Sequence, residues 1–136
     1  MTKTEKKEIK VLLVDDDISV IESIGRVMKS RFGMRGYDNI IVFTKHTKTA
    51  LDAIRWMEEI RPMILLFDHN YGSEENGFDI LKVAKNGLSE QIKKLIAITA
   101  CPDAGAIYRQ EYGIDWIKKS DYSIIIDAVI EFVENK

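Results

Sequence analysis

The chain has 136 residues, 46% of them hydrophobic and 31% charged, with a formal net charge of −2. That length suits one domain with one core, and the near-neutral balance offers no broad basic field for nucleic acid or an anionic membrane. Cys101 is the only cysteine, which excludes an internal disulfide and a cysteine-rich zinc site and fits a reducing, cytoplasmic setting, and no apolar run approaches the roughly 20 residues that span a bilayer.

Residues 1–8 are mostly charged and carry no signal-peptide core. They are expected to form a disordered leader, with 9–136 as a single domain. The run IKVLLV at 9–14 predicts a first strand, closing on Asp15, Asp16 and Asp17. A helical pattern follows, with Ile18, Ile21, Ile24, Gly25, Met28 and Phe32 on one face and Ser19, Glu22, Arg26 and Lys29 on the other. Asp17 suits its N-cap. A connector with two glycines, 33–39, leads to a strand at 40–43. Thr47 or Thr49 can cap the next helix, which Pro62 closes.

Residues 63–68, MILLFD, are five apolar residues ending on an acid. An unbroken apolar run of this length predicts a strand buried on both faces of a parallel sheet. A polar loop, 69–76, precedes a helix opened by Gly77, with Phe78, Ile80, Leu81 and Ala84 inward and Asn86-Gly87 at its end. The fourth strand, 95–98, closes on Thr99 and Ala100. Pro102 then starts a helix that runs to about Tyr112 and stops at Gly113. A short strand at 114–117 is followed by Lys118, Lys119 and Ser120. Asp121 caps a last helix with Ile124, Ile125, Ala128, Val129, Phe132 and Val133 inward.

Five strands alternating with five helices imply a doubly wound α/β fold, a five-stranded parallel sheet with helices on both faces. Right-handed crossovers leave few topologies, and the order 2-1-3-4-5 is the common one at this size. Its crevice lies beside strands one and three, at their carboxyl ends. Asp15, Asp16 and Asp68 would therefore meet there, with the Thr99 hydroxyl one strand further and the Lys119 amine after the fifth. Two carboxylates about 4 Å apart repel by on the order of 4 kcal/mol at an effective dielectric of 20. A bound cation or a raised pKa makes such a cluster tolerable. Oxygen ligands favour Mg²⁺, and a carboxylate can be a covalent nucleophile toward phosphorus.

Over about 9–133 the chain resembles the receiver domains of two-component response regulators, with their flavodoxin/CheY-like (βα)5 fold. The residues that carry the likeness are the acidic pair in VLLVDDD, the acid in ILLFD, the helix start GFDIL, the TA of LIAITA and the lysine of WIKKS. The resemblance implies that Asp68 accepts a phosphoryl group from a histidine kinase, a phosphotransfer protein or a small phosphodonor. It implies a Mg²⁺ (or Mn²⁺) site formed by Asp15, Asp16, Asp68 and the backbone carbonyl of Asn70. Thr99, Ala100 and Lys119 would contact the phosphoryl group, and Trp116 would be the aromatic that changes rotamer. Asn70 and Cys101 occupy positions that tune phosphoryl lifetime. The expected chemistry is limited to self-phosphorylation and dephosphorylation. The expected outputs are a downstream protein partner, a covalently linked output domain or a phosphorylation-dependent dimer, without nucleic-acid or membrane binding by this domain.

The sequence also departs from that pattern. The loop after Asp68 is slightly long and lacks the customary proline, and Asn76 stands where Asp often precedes the glycine. The stretch between Thr99 and Lys119 is short, which predicts a stunted fourth helix. Ser120 stands where a proline often follows the lysine, so that turn is expected to differ. Lys119 rather than Lys118 is the expected site lysine, because it keeps Trp116 three residues before it. His69 and His46 read as solvent-facing, Asp17 as a cap and Cys101 as filler. Tyr108, Tyr112 and Tyr122 either line a partner face with Trp116 or are scattered aromatics. Two rival functions remain: a degenerate receiver that binds partners without phosphorylation, and a haloacid-dehalogenase-type phosphatase using Asp15-x-Asp17. A flavodoxin-like FMN site lacks a recognisable phosphate loop.

Overall fold

A computed structural model describes residues 7–70, 76–88 and 90–135. Most of the expected leader (1–6) and most of the loop after Asp68 (71–75) lie outside the described residues. The elements run β1 (Ile9–Asp15), α1 (Ile18–Met34), β2 (Ile40–His46), α2 (Ala50–Ile60), β3 (Ile64–Asp68), α3 (Gly77–Gly87), β4 (Lys94–Thr99), α4 (Pro102–Tyr112), β5 (Asp115–Lys118) and α5 (Tyr122–Glu134). All strand pairs are parallel, and the sheet order is β2-β1-β3-β4-β5.

Side chains alternate across the sheet, so each central strand feeds two cores. Val11, Leu13, Ile64, Leu66, Ile96 and Ile98 pack with α1 and α5. Leu12, Val14, Leu65, Phe67 and Ala97 pack with α2, α3 and α4. This explains why β1, β3 and β4 read as continuous apolar runs: neither face meets water. β2 is an edge strand with only Val42 buried, and it continues to His46, beyond the apolar stretch 40–43.

The helix ends follow local chemistry. Asp17 accepts from the Ser19 amide at the start of α1. Thr49, not Thr47, caps α2 through the Asp52 amide. Asn76 and Asp79 form a reciprocal capping box on α3. Gly113 ends α4 in the left-handed region at φ 66°, where a glycine carries no Cβ penalty.

Several expectations need correction. α1 runs through Gly33 to Met34, so the connector is shorter than 33–39. α4 is not stunted: its 11 residues match α2 and α3. The connections on either side of α4 are two residues each, 100–101 and 113–114. The inward face of α5 holds the expected Ile125, Val129 and Val133, with Ala128 and Phe132 half-buried against the core, and adds Ile126 and Ile130, while Ile124 is exposed. Ile18 is likewise exposed at the first turn of α1. Asp121 occupies the N-cap of α5 but makes no side-chain cap hydrogen bond. No cis peptide bond occurs among the described residues, the one before Ser120 included.

Leu66 sits at the middle of the sheet with no exposed surface. Leu66→Ala is expected to destabilise the domain by about 2–5 kcal/mol through lost burial and a residual cavity. Urea denaturation will measure this as a lower midpoint with an unchanged slope.

Candidate functional site

The site follows from strand register. β1 and β3 pair Val14 with Phe67, so the next residues, Asp15 and Asp68, lie side by side. β3 and β4 pair Asp68 with Ile98, which sets Thr99 one step beyond. β4 and β5 pair Thr99 with Lys118, and the chain then turns, with the Lys119 amide donating to the Thr99 carbonyl at 3.2 Å. Four residues distant in the chain thus reach one rim of the sheet.

Lys119 Nζ is the hub. It lies 2.9 Å from Asp15 Oδ1, 3.2 Å from Asp68 Oδ2 and 3.8 Å from Asp16 Oδ1. Lys118 is exposed, and of the two adjacent lysines it is Lys119 whose amine meets the acids. Asp15 and Asp68 are buried, whereas Asp16 is exposed. Asp15 Oδ1 also accepts from the Asp17 amide at 2.8 Å. Asp68 Oδ1 accepts from the His69 amide at 2.8 Å and more loosely from that of Asn70 at 3.4 Å. Thr99 is fully buried, and its hydroxyl accepts from the Cys101 amide at 3.1 Å. Ala100 is exposed beside it, and Cys101 is half-buried. Asp17 is spent as the cap of α1.

Burial penalises the carboxylates more than the lysine relieves them. Asp68 is pushed up to about 7, first by burial and then by the charge of Asp15, against the opposing pull of Lys119. Asp15 is raised to about 6, again chiefly by burial. Burial would lower the Lys119 ammonium, but its hydrogen bond to Asp15 and the charges of Asp68 and Asp15 outweigh this and raise its pKa.

Carboxylate oxygens of Asp15, Asp16 and Asp68 lie within 4.8 Å of one another, close enough to share a metal ion. Asp15 Oδ2 is buried with no hydrogen-bond partner. A buried carboxylate oxygen normally has a donor, so this one suits a cation in the cluster. An all-oxygen donor set of this kind fits a hard divalent ion.

The aromatic neighbourhood is less expected. Trp116 is half-buried, with Nε1–H donating to the Thr99 carbonyl at 3.3 Å. Its ring lies flush on Gly105 of α4, where an added Cβ would come within 2.1 Å of the indole. His69 is not solvent-facing: it is buried, and its Nδ1 shares a 2.8 Å hydrogen bond with the Tyr108 hydroxyl. Burial lowers the His69 pKa, which favours the neutral ring. Tyr108 is fully buried and belongs to no partner face, while Tyr112 and Tyr122 are half-buried. The sequence did hold a signal for His69. It lies two residues after Phe67 and so continues that strand's inward face. His46 is exposed as expected, and its Nε2 is 2.9 Å from the Asp16 carbonyl.

No family model matches this sequence, and no curated protein matches it. Solved structures of similar shape are in the main receiver domains of response regulators. The fold is that of a response-regulator receiver domain. A two-component response regulator of the LuxR family from Aurantimonas sp. SI85-9A1 matches with a TM-score of 0.69 and 18% identity, over 96% of this chain and 88% of that one. The signal receiver domain of an HD domain-containing protein from Pseudomonas fluorescens Pf-5 matches with a TM-score of 0.69 and 16% identity, over 98% and 93%. A de novo designed Rossmann 2x3 protein also matches, with a TM-score of 0.59 and 20% identity, over 93% and 90%. At these identities the receiver likeness concerns the backbone, and the case for chemistry rests on the acidic rim.

The raised carboxylate pKa values have a definite sign. The folded protein keeps protons on Asp15 and Asp68 at pH values where the unfolded chain has lost them. These groups therefore make stability fall as pH rises from about 4 to about 7. Asp68→Asn is expected to stabilise the metal-free protein at pH 8 by about 1–2 kcal/mol, roughly 4–8 °C in melting temperature, and to do little at pH 4.5. Thermal melts at the two pH values, with chelator present, will measure the difference.

Proposed function

We propose that this chain is a phosphoacceptor receiver of a two-component signalling system. In this reading Asp68 is the phosphoacceptor and the reaction depends on a divalent ion. The observation that carries the reading is the buried Asp15–Asp68 pair meeting Lys119, with Asp15 Oδ2 left without a hydrogen-bond partner. Such a rim is costly to build unless cations complete it.

A carboxylate oxygen of Asp68 attacks phosphorus. A phosphorus–oxygen bond forms, giving an acyl phosphate. The phosphorus–nitrogen bond of a partner's phosphohistidine breaks, or the phosphorus–oxygen bond of acetyl phosphate, and the electron pair leaves with the imidazole or acetate. Lys119 pairs with one phosphoryl oxygen, and the Thr99 hydroxyl and Ala100 amide take others. Mg²⁺ or Mn²⁺, held by Asp15, Asp16, Asp68 and the Asn70 carbonyl, would neutralise charge on the transferring group. Water later cleaves the acyl phosphate, with Asn70 and Cys101 flanking its approach. The domain is not an enzyme toward other substrates.

The donor is a histidine kinase, a phosphotransfer protein or a small phosphodonor. The readout is altered binding of a downstream protein, a linked output domain or a second copy, through a shift between pre-existing states. Trp116 belongs to that readout as the aromatic next to Thr99. The cytoplasm is the compartment that fits a kinase-coupled receiver, and no described helix is long and apolar enough to cross a membrane. The phosphatase reading is disfavoured because Asp17 caps α1 rather than facing Asp15 across a substrate pocket. The degenerate-receiver reading loses one of its grounds with the full-length α4.

With Mg²⁺ and acetyl phosphate, intact-mass analysis should show a gain of one phosphoryl group. Asp68→Asn should abolish it, and Lys119→Met should slow it by at least tenfold. Metal binding without modification or beryllofluoride response at Asp68 would refute the reading.

A further inference from the structure

The turn after Asp68 is tied down on both sides. The His69 amide donates to the Asp68 carboxylate at 2.8 Å, and the His69 carbonyl accepts from the Gly77 amide at 3.0 Å. The same residue's side chain leaves the sheet rim and enters the core beneath α4. Its Nδ1 is 2.8 Å from the Tyr108 hydroxyl, and its ring meets Phe78 and Tyr108 edge-on, with centroids 4.6 and 5.5 Å away. One residue therefore holds the acid through its backbone and the middle of α4 through its side chain.

Tyr108 is gripped in turn. It is fully buried, its ring stands edge-on to Phe67 at 5.6 Å, and it lies tilted against Phe78 at 4.6 Å. Its hydroxyl fills the space over Gly77. A Cβ there would come within 2.1 Å of the hydroxyl oxygen and 2.9 Å of the His69 Cα. Pulling the buried imidazole away from the hydroxyl is costly, because a buried hydrogen bond is then broken away from water. Residue 69 cannot shift without straining this contact, and Tyr108 follows it. Trp116 is braced differently, seated on Gly105 and hydrogen-bonded to a backbone carbonyl. That seat leaves its indole little room on the α4 side.

We propose that the His69–Tyr108 hydrogen bond is the lever that carries the state of Asp68 to α4. This rests on the phosphoacceptor reading. New bulk and charge on the Asp68 carboxylate displace the His69 amide that now donates to it. The imidazole moves with its backbone and draws the Tyr108 hydroxyl, and α4 shifts against β4 and β5. His69 is a positioning residue in this scheme, acting through Asp68 and Tyr108.

The test is the amide NMR response to beryllofluoride and Mg²⁺ in the wild-type chain, Tyr108→Phe, His69→Leu, the double variant and His69→Asn. Tyr108→Phe keeps the buried ring and removes only the hydroxyl. It should keep the shifts at Asn70 and Thr99 while cutting those across 103–112 by more than half. The double variant should lose no more of the α4 response than either single variant, since both break one link. His69→Asn, whose amide oxygen lies near the place of Nδ1, should recover most of the response. A full α4 response in Tyr108→Phe, or additive losses in the double variant, overturns the lever. Loss of the α4 response in His69→Asn equal to that in His69→Leu also counts against it. A wild-type chain with no shift at Asn70 or Thr99 defeats the phosphoacceptor reading, and the lever falls with it.

Discussion

The molecule depends on one unfavourable arrangement: three carboxylates brought to the same edge of a sheet, with a single ammonium among them. Nothing in the hydrophobic core requires this. The core would be as well packed with neutral residues at positions 15 and 68, and the domain would fold more easily without the buried charges. The parallel register of β1 and β3 makes the encounter unavoidable once both strands end on an acid. Lys119 arrives from the far side, after two further strands, and its reach across Thr99 binds the two halves of the sheet electrostatically. The fold supplies rigidity, and the acids at its rim draw on it.

Much of this was legible in the sequence because strands buried on both faces have a plain signature. Three apolar runs, each ending in a polar residue, fixed the sheet's centre and the direction of its rim. Asp15, Asp68, Thr99 and Lys119 then needed only the strand order to be brought together. What failed was phase at the element ends. Ile18 and Ile124 looked inward because they are apolar and open a helix. Each lies on the side of its helix's first turn that faces away from the core and meets solvent, while Val20, Ile21 and Ile125 of the same turns are buried. The extension of β2 to His46 was hidden because an edge strand with a wet face carries no apolar run.

His69 is the more instructive miss. A histidine beside an acid, in a stretch rich in polar residues, reads as loop. Yet two-residue alternation carries Phe67 and His69 to the same side, and a buried tyrosine hydroxyl waits there. Polarity misled because the partner that makes the imidazole tolerable in the core lies in a helix three elements later. No local pattern couples positions so far apart. Tyr108 was ambiguous for the same reason, since its burial depends on a glycine at 77 whose missing side chain makes the space.

The contact between Trp116 and Gly105 binds two positions into a shared history. An indole can lie on α4 only where the helix has no side chain, and any larger residue at 105 would have to displace it. Neither site is free to drift alone. Descendants of this chain should keep the pair or exchange both together, a smaller ring at 116 accompanying a bulkier residue at 105, so comparison of related genomes would find these two columns changing in step.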